Sequence, residues 1–535
     1  MLLIAVWFRG YKIVMLLACT FVITLSCCTK NGNALNRRIA AVGDSTGLSS
    51  AANPDRTFAD LLGVNAFEWD FGNQYRPVER AENFLAFSGV RHYLDWRQIE
   101  SVRGKYGYNP TLRGGWKLDQ IYQWCQENDI TALVCLKTIP EWLLETFPSE
   151  KRDAENAPAP YGADLADPHS YKSFAELGFQ FAARYGRNKQ VDPNLVRVSP
   201  EPNYNPNEKK IGMGLIQYIE CNNEPNRTWK PTKVAYQNAE QYAANLSAFY
   251  DGHKNSMGPG VGVKNADSTM VVVMGGITPG DPKFVDDMIE WCRKHRGLKS
   301  DGSVDLCFDV INYHSYAHNR NIERGKSKQR GRAPELASTQ AIGKNFVDYR
   351  VKKGLDLQIW VTEFGYDVNP HSVQRAIPVG DKPAEITQAD WNLRAALMYA
   401  RMGIDRLFFY MLQDVSVNST TQYASSGFLH KGPRPAWDYF YQAKQLLGDF
   451  RYESTLNTDP IVDKYVRDDR QMYVLTIPDE VGRKAAYELA AADHQQAMVY
   501  ELQVGSKEMK KTTLPVKNGK VILEVSETPI FVELL

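Results

Sequence analysis

Tyr218-Ile219-Glu220-Cys221-Asn222-Asn223-Glu224-Pro225-Asn226 reads as the end of a buried strand that breaks into a polar loop. An apolar lead-in that finishes in two acids and three amides must put charged groups where something other than a core receives them. Glu224 stands at that point. A second stretch has the same form: Leu357-Gln358-Ile359-Trp360-Val361-Thr362-Glu363-Phe364-Gly365-Tyr366 is an apolar strand that ends in a carboxylate. Two glutamates at the mouths of two strands point to paired-carboxylate chemistry, in which one carboxyl gives a proton and the other attacks or stabilises a developing cation.

Outward from these stretches, short apolar runs alternate with amphipathic ones, the pattern of strand and helix units around a parallel sheet. Strands are expected at Gly63–Trp69, Val90–Trp96, Thr131–Thr138, Leu215–Asn222, Met270–Ile277, Asp309–Tyr313, Gln358–Thr362 and Arg406–Met411. Eight such units close into an α/β fold, a (β/α)8 TIM barrel, whose chemistry sits where strands end. Glu224 then lies at the mouth of the fourth strand and Glu363 at that of the seventh. The insertion Ile139–Pro168 follows strand three and is expected to wall the cleft. Past Phe450 the pattern changes to short alternating strands, Val462–Val466, Met472–Ile477, Ala497–Leu502, Val521–Val525 and Ile530–Leu534, which fit a small antiparallel β-sandwich domain. Residues 36–44 are a candidate further strand.

The chain thus divides into a leader over residues 1–28, a tether and N-terminal segment over 29–60, the barrel over 61–449 and the β-sandwich over 450–535. Arg9 and Lys12 precede an apolar run from Ile13 to Leu25 and then Ser26-Cys27-Cys28, a secretory signal too short for a stable membrane span. The cysteine pair resembles a bacterial lipobox. Cys27 or Cys28 is then the lipidated residue, and the exported protein meets a membrane only through that anchor, in the periplasm or at the outer-membrane surface. Beyond the tether only Cys125, Cys135, Cys221, Cys292 and Cys307 remain, and three lie in apolar runs, which favours buried thiols over a disulfide framework. A formal net charge of +1 argues against nucleic acid as a partner.

The residues Glu220 to Asn226 resemble the Glu-x-x-Asn-Glu-Pro signature at the fourth strand of clan A glycoside hydrolases, and Trp360-Val361-Thr362-Glu363-Phe364-Gly365 resembles their seventh-strand nucleophile motif. Among clan members, the chain resembles family 39 most, though only loosely. The resemblance implies a retaining glycosidase that cleaves O-glycosidic bonds of an oligo- or polysaccharide by double displacement, without metal or organic cofactor. It assigns Glu224 as acid/base, Glu363 as nucleophile and Asn223 as a partner of the sugar 2-hydroxyl. Arg91 resembles the arginine that keeps the nucleophile ionised, and Glu220 belongs to the polar network of the barrel. His314 and Tyr316 follow strand six, from which one of them is expected to bond Glu363.

A glycan cleft also wants flat aromatics, and Trp96, Trp142, Trp229, Tyr366 and Tyr410 fall at strand ends or in the loops after them. Glu68 and Asp70 are further acids within reach of a substrate. His314 and His318 have a spacing seen in metal pairs but no supporting ligands, so no metal is expected. The basic run Arg324–Arg332 reads as a solvated loop, and Gly258–Gly262 as a turn. Two other readings share the motifs: a glycan-binding surface lipoprotein that has lost turnover, and a transglycosidase that uses the same intermediate.

Overall fold

The computed structural model describes residues 56–200, 207–230, 234–319 and 329–535. The expected leader, Cys27 and Cys28, residues 36–44 and Arg324–Lys328 of the basic run lie outside them. Eight parallel strands form a closed barrel: β1 Leu62–Ala66, β2 Gly89–Asp95, β3 Thr131–Lys137, β4 Tyr218–Cys221, β5 Val271–Met274, β6 Val310–His314, β7 Gln358–Phe364 and β8 Arg406–Phe409. Each pairs with the next, and β8 returns to β1 through Leu62↔Leu407 and Gly63↔Phe408. The strands read as near-continuous apolar runs because both their faces are covered, one by helices and one by the lumen.

The lumen is filled in layers, as a barrel of this size requires. At the bottom Leu133, Val273, Val310, Trp360 and Phe408 pack together, with Tyr218 and Val271 against them. Gly63 faces the Phe408 ring so closely that an added Cβ would overlap it. Above this apolar plug lies a polar layer from the next inward positions: Asn65, Arg91, Glu220 and Asn312, all fully buried. Each of these groups must find its partners inside the barrel. The catalytic candidates stand on that layer.

Helices Leu118–Glu127, Lys172–Tyr185, Ala239–Asp251, Pro282–His295, Thr339–Lys353, Ala384–Met402 and Pro435–Leu447 form the outer shell. Among the described residues no helix is long and apolar enough to cross a membrane. The five cysteines beyond the tether are buried and unbridged, with the Cys292 and Cys307 Sγ atoms 3.5 Å apart. The Ile139–Pro168 insertion meets the loop after β4: Lys230 Nζ pairs with Asp153 and Glu155 at 2.8 and 2.6 Å, and the Ala157 N–H donates to the Val234 carbonyl.

The C-terminal region holds β9 Arg451–Thr458, β10 Ile461–Arg467, β11 Arg470–Thr476, β12 Ala485–Ala490, β13 Gln496–Glu501, β14 Lys510–Pro515, β15 Lys520–Val525 and β16 Ile530–Leu534. Six of them form one sheet in the order β14-β13-β16-β11-β10-β9, while β12 and β15 pair separately. Val462, Leu475, Val521, Leu523, Val525 and Val532 from the two sheets share a core, which makes the region a sandwich. The sequence reading passes over β9, β12 and β14, whose residues, apart from the buried Leu489, stay half-buried or exposed and whose alternation is correspondingly weak.

The sandwich docks on the barrel through apolar side chains, among them Tyr465, Met472, Val474 and Phe531, and through ion pairs. Arg401, on the helix Ala384–Met402, holds the Asp463 carboxylate of β10 at 2.6 Å, and Lys382 reaches Glu527 at 3.1 Å. Asp463 is 1% exposed, so truncating it leaves Arg401 with an unmatched charge in a dry seam. Asp463→Ala is therefore expected to cost roughly 3–5 kcal/mol in urea unfolding, with little loss from the far surface substitution Lys484→Ala.

Candidate active site

The chain leaves β4 through Asn222, Asn223 and Glu224, and two of these take a left-handed backbone, φ 66° at Asn222 and 44° at Glu224. Such conformations cost non-glycine residues on the order of 1–3 kcal/mol each and persist only when the surroundings fix them. Here the Asn222 N–H donates to the Leu136 carbonyl at 3.1 Å, and the Asn222 side chain accepts the Asn223 N–H at 2.7 Å. The turn aims Glu224 over the barrel mouth, where its side chain keeps 19% exposure. Glu363 comes from β7 directly and is 6% exposed. A carboxylate oxygen of each, together with a ring nitrogen of His314, lies within 4.8 Å of the others.

Arg91 ties the polar layer to this pair. Its Nε and Nη2 hold Glu220 at 2.6 and 2.8 Å, Nη2 also donates to Asn223 Oδ1 at 2.7 Å, and Nη1 reaches Glu363 Oε1 at 3.1 Å and Asn65 Oδ1 at 3.0 Å. Glu220 also accepts from Asn312 Nδ2 and the Gly276 N–H, which places it in the supporting network. Tyr93 bonds Glu363 Oε1 through its hydroxyl, and Tyr316 donates to Oε2 at 2.8 Å. Burial alone would push the Glu363 carboxyl up. The His314 imidazole, the Arg91 guanidinium and these two hydroxyls outweigh it and hold Glu363 below the usual carboxylate range. Burial raises both phenols well above their ordinary value, so they remain donors.

His314 bridges to the other carboxylate. Its Nδ1 lies 2.8 Å from Glu224 Oε1 and 3.5 Å from Glu363 Oε2, and its Nε2 is 3.0 Å from Thr362 Oγ1. The proton positions follow from the chain of partners. Asn312 Nδ2 faces only acceptors, the Glu220 carboxylate and the Met274 carbonyl, so Asn312 Oδ1 is the acceptor for the Thr362 hydroxyl at 2.9 Å. Thr362 Oγ1 is thereby left to accept from His314 Nε2–H. The Nδ1–Glu224 contact then carries one proton, held either as carboxylic acid and neutral imidazole or as carboxylate and imidazolium. A Cβ at Gly276 would overlap the imidazole, so glycine there is a steric condition of this arrangement.

Glu224, His314 and Glu363 thus offer three metal-type donors in one cluster. Their donor atoms already face one another and Arg91, a cation 3.1 Å from Glu363, so the set fits an acid/base couple better than a cation cage. Asn223 Oδ1 is taken by Arg91, with the Tyr93 hydroxyl oxygen 3.2 Å away, while among the described residues its Nδ2 has no partner. That amide is free to donate at the reacting position.

Arg91, Asn223, Glu224, His314, Tyr316 and Glu363 therefore converge, and Tyr410 stands beside them, edge-on to Tyr93 at 6.2 Å. His314 ends β6 where the sequence reading placed it just past the strand; Tyr316 bonds Glu363 and His314 bonds Glu224. Trp96 departs from the expectation: it is fully buried, opens the turn Trp96–Ile99 and points its indole N–H at Glu100, 2.7 Å away. Trp142 packs edge-on to Trp96, donates to the Glu100 carbonyl and lies under the Arg103 guanidinium, so its face is covered. Tyr366 is likewise buried, with its hydroxyl on the Arg332 carbonyl. Trp229 is 49% exposed in the loop after β4 and has no ring partner among the described residues. Glu68 is buried under His92 and Gln98. The sequence reading missed Tyr93, for which the only signal is its inward parity with Arg91 on β2.

Asp70 sits nearby with its carboxyl pushed up to about 7 from an ordinary 3.8, mainly by burial and also by Glu68, although the Phe67 N–H opposes the shift. A raised folded value means that stability is complete while Asp70 is neutral in both states, below pH about 4, and is lost as pH rises through 7. Asp70→Asn keeps an acceptor for the Phe67 N–H and cannot ionise. Urea unfolding at about pH 5 and about pH 8 is expected to show wild type losing roughly 2–4 kcal/mol more than the variant between the two.

No family model and no curated protein matches this chain. Solved structures do resemble it. A family 39 glycoside hydrolase from the gut symbiont Bacteroides cellulosilyticus WH2 superposes with a TM-score of 0.59 at 17% identity, over 90% of this chain and 82% of the other. A glucosidase from Croceicoccus marinus gives 0.53 at 10% identity, over 90% and 97%. A family 30 endoxylanase from Clostridium papyrosolvens C71 gives 0.51 at 12%, over 91% and 97%. The shared feature is the fold, the barrel with an attached β-domain.

Proposed function

We propose that this protein is a retaining glycoside hydrolase that cleaves O-glycosidic bonds of an oligo- or polysaccharide by double displacement. The observation that carries the reading is the approach of Glu224 and Glu363, on the fourth and seventh strand ends, to within 4.8 Å. Retaining enzymes hold their carboxyls about 5–5.5 Å apart, whereas inverting enzymes leave about 6.5–9.5 Å for a water molecule. The neighbours of like fold are described as a glycoside hydrolase, a glucosidase and an endoxylanase, in keeping with this reading.

In the first step Glu363, ionised, attacks the anomeric carbon while Glu224 gives its proton to the departing oxygen. The glycosidic C–O bond breaks and a glycosyl ester forms on Glu363. Ester formation removes the negative charge beside His314, so Glu224, now a carboxylate, takes a proton from an incoming water. That water's oxygen then displaces Glu363 and restores both carboxyls. His314 Nδ1, which shares a proton with Glu224, holds the acid in place and balances its charge between the two steps. Asn223 Nδ2 donates to the hydroxyl next to the reacting carbon. We further read the leader as an export signal, with Cys27 or Cys28 lipidated and the barrel held at the bacterial cell envelope. The basic flank, the short apolar run and the terminal cysteines support that reading.

On a panel of aryl glycosides, Glu363→Ala is expected to be inactive, and Glu224→Ala to lose on the order of 10²–10⁴-fold in turnover. Azide should restore the latter by forming a glycosyl azide of retained configuration. Full activity in both variants contradicts the assignment. Tyr93→Phe removes a donor that holds Glu363 down. The acid limb of its kcat/KM profile should therefore move to higher pH, with a loss on the order of a hundredfold at the optimum. An unmoved limb places Tyr93 outside the nucleophile's electrostatics.

A further inference from the structure

A cavity of about 410 Å³ opens where the segments following β1 and β8 meet. Trp69, Asp70, Asn83, Gln413 and Lys431 contribute to its wall. Trp69 is 44% exposed, although an indole is among the most costly side chains to leave in water. It is not loose. One face of the indole stacks on Phe67 at 4.4 Å and 8°, and Arg80 fixes the turn behind it by bonding the Trp69 and Gly72 carbonyls. The ring is thus held flat and rigid with apolar area presented outward.

The polar groups around it are also unspent. Asp70 uses one carboxylate oxygen to cap the Phe67 N–H at 2.8 Å, and among the described residues its second oxygen takes no hydrogen bond. Lys431 is exposed, and among the described residues its ammonium pairs with no acid. A rigid aromatic face flanked by a carboxylate acceptor, an ammonium donor and two amides is the chemistry that recognises a sugar ring: C–H bonds on the flat side, hydroxyls at the edge.

The position connects this wall to the reacting pair. Phe67 stacks in turn on Tyr93 at 5.5 Å and 20°, and the Tyr93 hydroxyl bonds Glu363. Trp69 is therefore two ring steps from the nucleophile. On the strand-eight side, Leu412 and Gln413 of the cavity wall follow closely on Tyr410, whose ring stands against Tyr93.

We infer that this cavity is a distal sugar subsite, in which a glycan held at Glu224 and Glu363 extends over the β1 side of the mouth and lays a second ring on Trp69. This rests on the hydrolase reading and deepens it, since it assigns a second ring of the sugar chain to a named wall of the mouth. Asp70 and Lys431 take hydroxyls of that second ring. Wild type, Trp69→Ala and Trp69→Phe are compared on aryl monoglycosides and on the matching di- to hexasaccharides, drawn from neutral and uronic glycans. Calorimetry measures binding of the same oligosaccharides to Glu363→Gln with and without Trp69→Ala. The loss of kcat/KM in Trp69→Ala is expected to be about tenfold greater on oligosaccharides than on the monoglycoside, with a similar fall in affinity in the Glu363→Gln background. Trp69→Phe should fall between. Lys431→Ala, at an exposed position, carries the same comparison if Trp69→Ala melts early. Equal losses at every chain length, equal binding by both Glu363→Gln proteins, or no oligosaccharide binding at all overturns the subsite. Turnover of aryl glycosides by wild type decides the hydrolase reading separately.

Discussion

The Arg91 guanidinium is completely buried, and the rest of the site is arranged by the need to satisfy it. A charge in that position is tolerable only with an opposite charge and a full set of acceptors. Glu220 supplies the charge through a two-point contact, and Asn65, Asn223, Tyr93 and Glu363 complete the shell. These partners come from β1, β2, β7, the end of β4 and the turn just after it. Closing the barrel therefore brings Glu363 and Asn223 to their places around Arg91. Glu363 gains a cation that keeps it ionised despite its burial, and Asn223 gains a fixed orientation.

Function adds features that stability alone would not select. A left-handed Glu224, a glycine required opposite His314 and an exposed indole at Trp69 each run against the local preference of the chain. They cluster within a few residues of the mouth, whereas the lower barrel is an ordinary apolar plug of Leu133, Val273, Val310, Trp360 and Phe408. The division follows the strand polarity of such barrels, with packing at one end and chemistry at the other.

Much of this was legible in the chain itself. The barrel strands are apolar on both faces, so their runs stand out, and Glu224 and Glu363 are conspicuous as acids that terminate them. Side-chain direction was harder to read. Trp96 directly follows β2 and Trp142 lies in the loop after β3, yet a short turn swings Trp96 back into the shell and Trp142 packs onto it. Tyr93 carried no motif, only its parity with Arg91. Trp69 was hidden by assigning residues 67–69 to the strand, when β1 stops at Ala66 and the chain turns at Glu68. The strands β9, β12 and β14 lacked apolar alternation because they face solvent along much of their length.

The closeness of the two carboxylates makes a stereochemical claim, and proton NMR of the first-formed sugar tests it most directly. With a substrate of known anomeric configuration, spectra taken before mutarotation should show the product anomer of the same configuration. Release of the opposite anomer would mean that water attacks the substrate itself, and would contradict a covalent intermediate on Glu363.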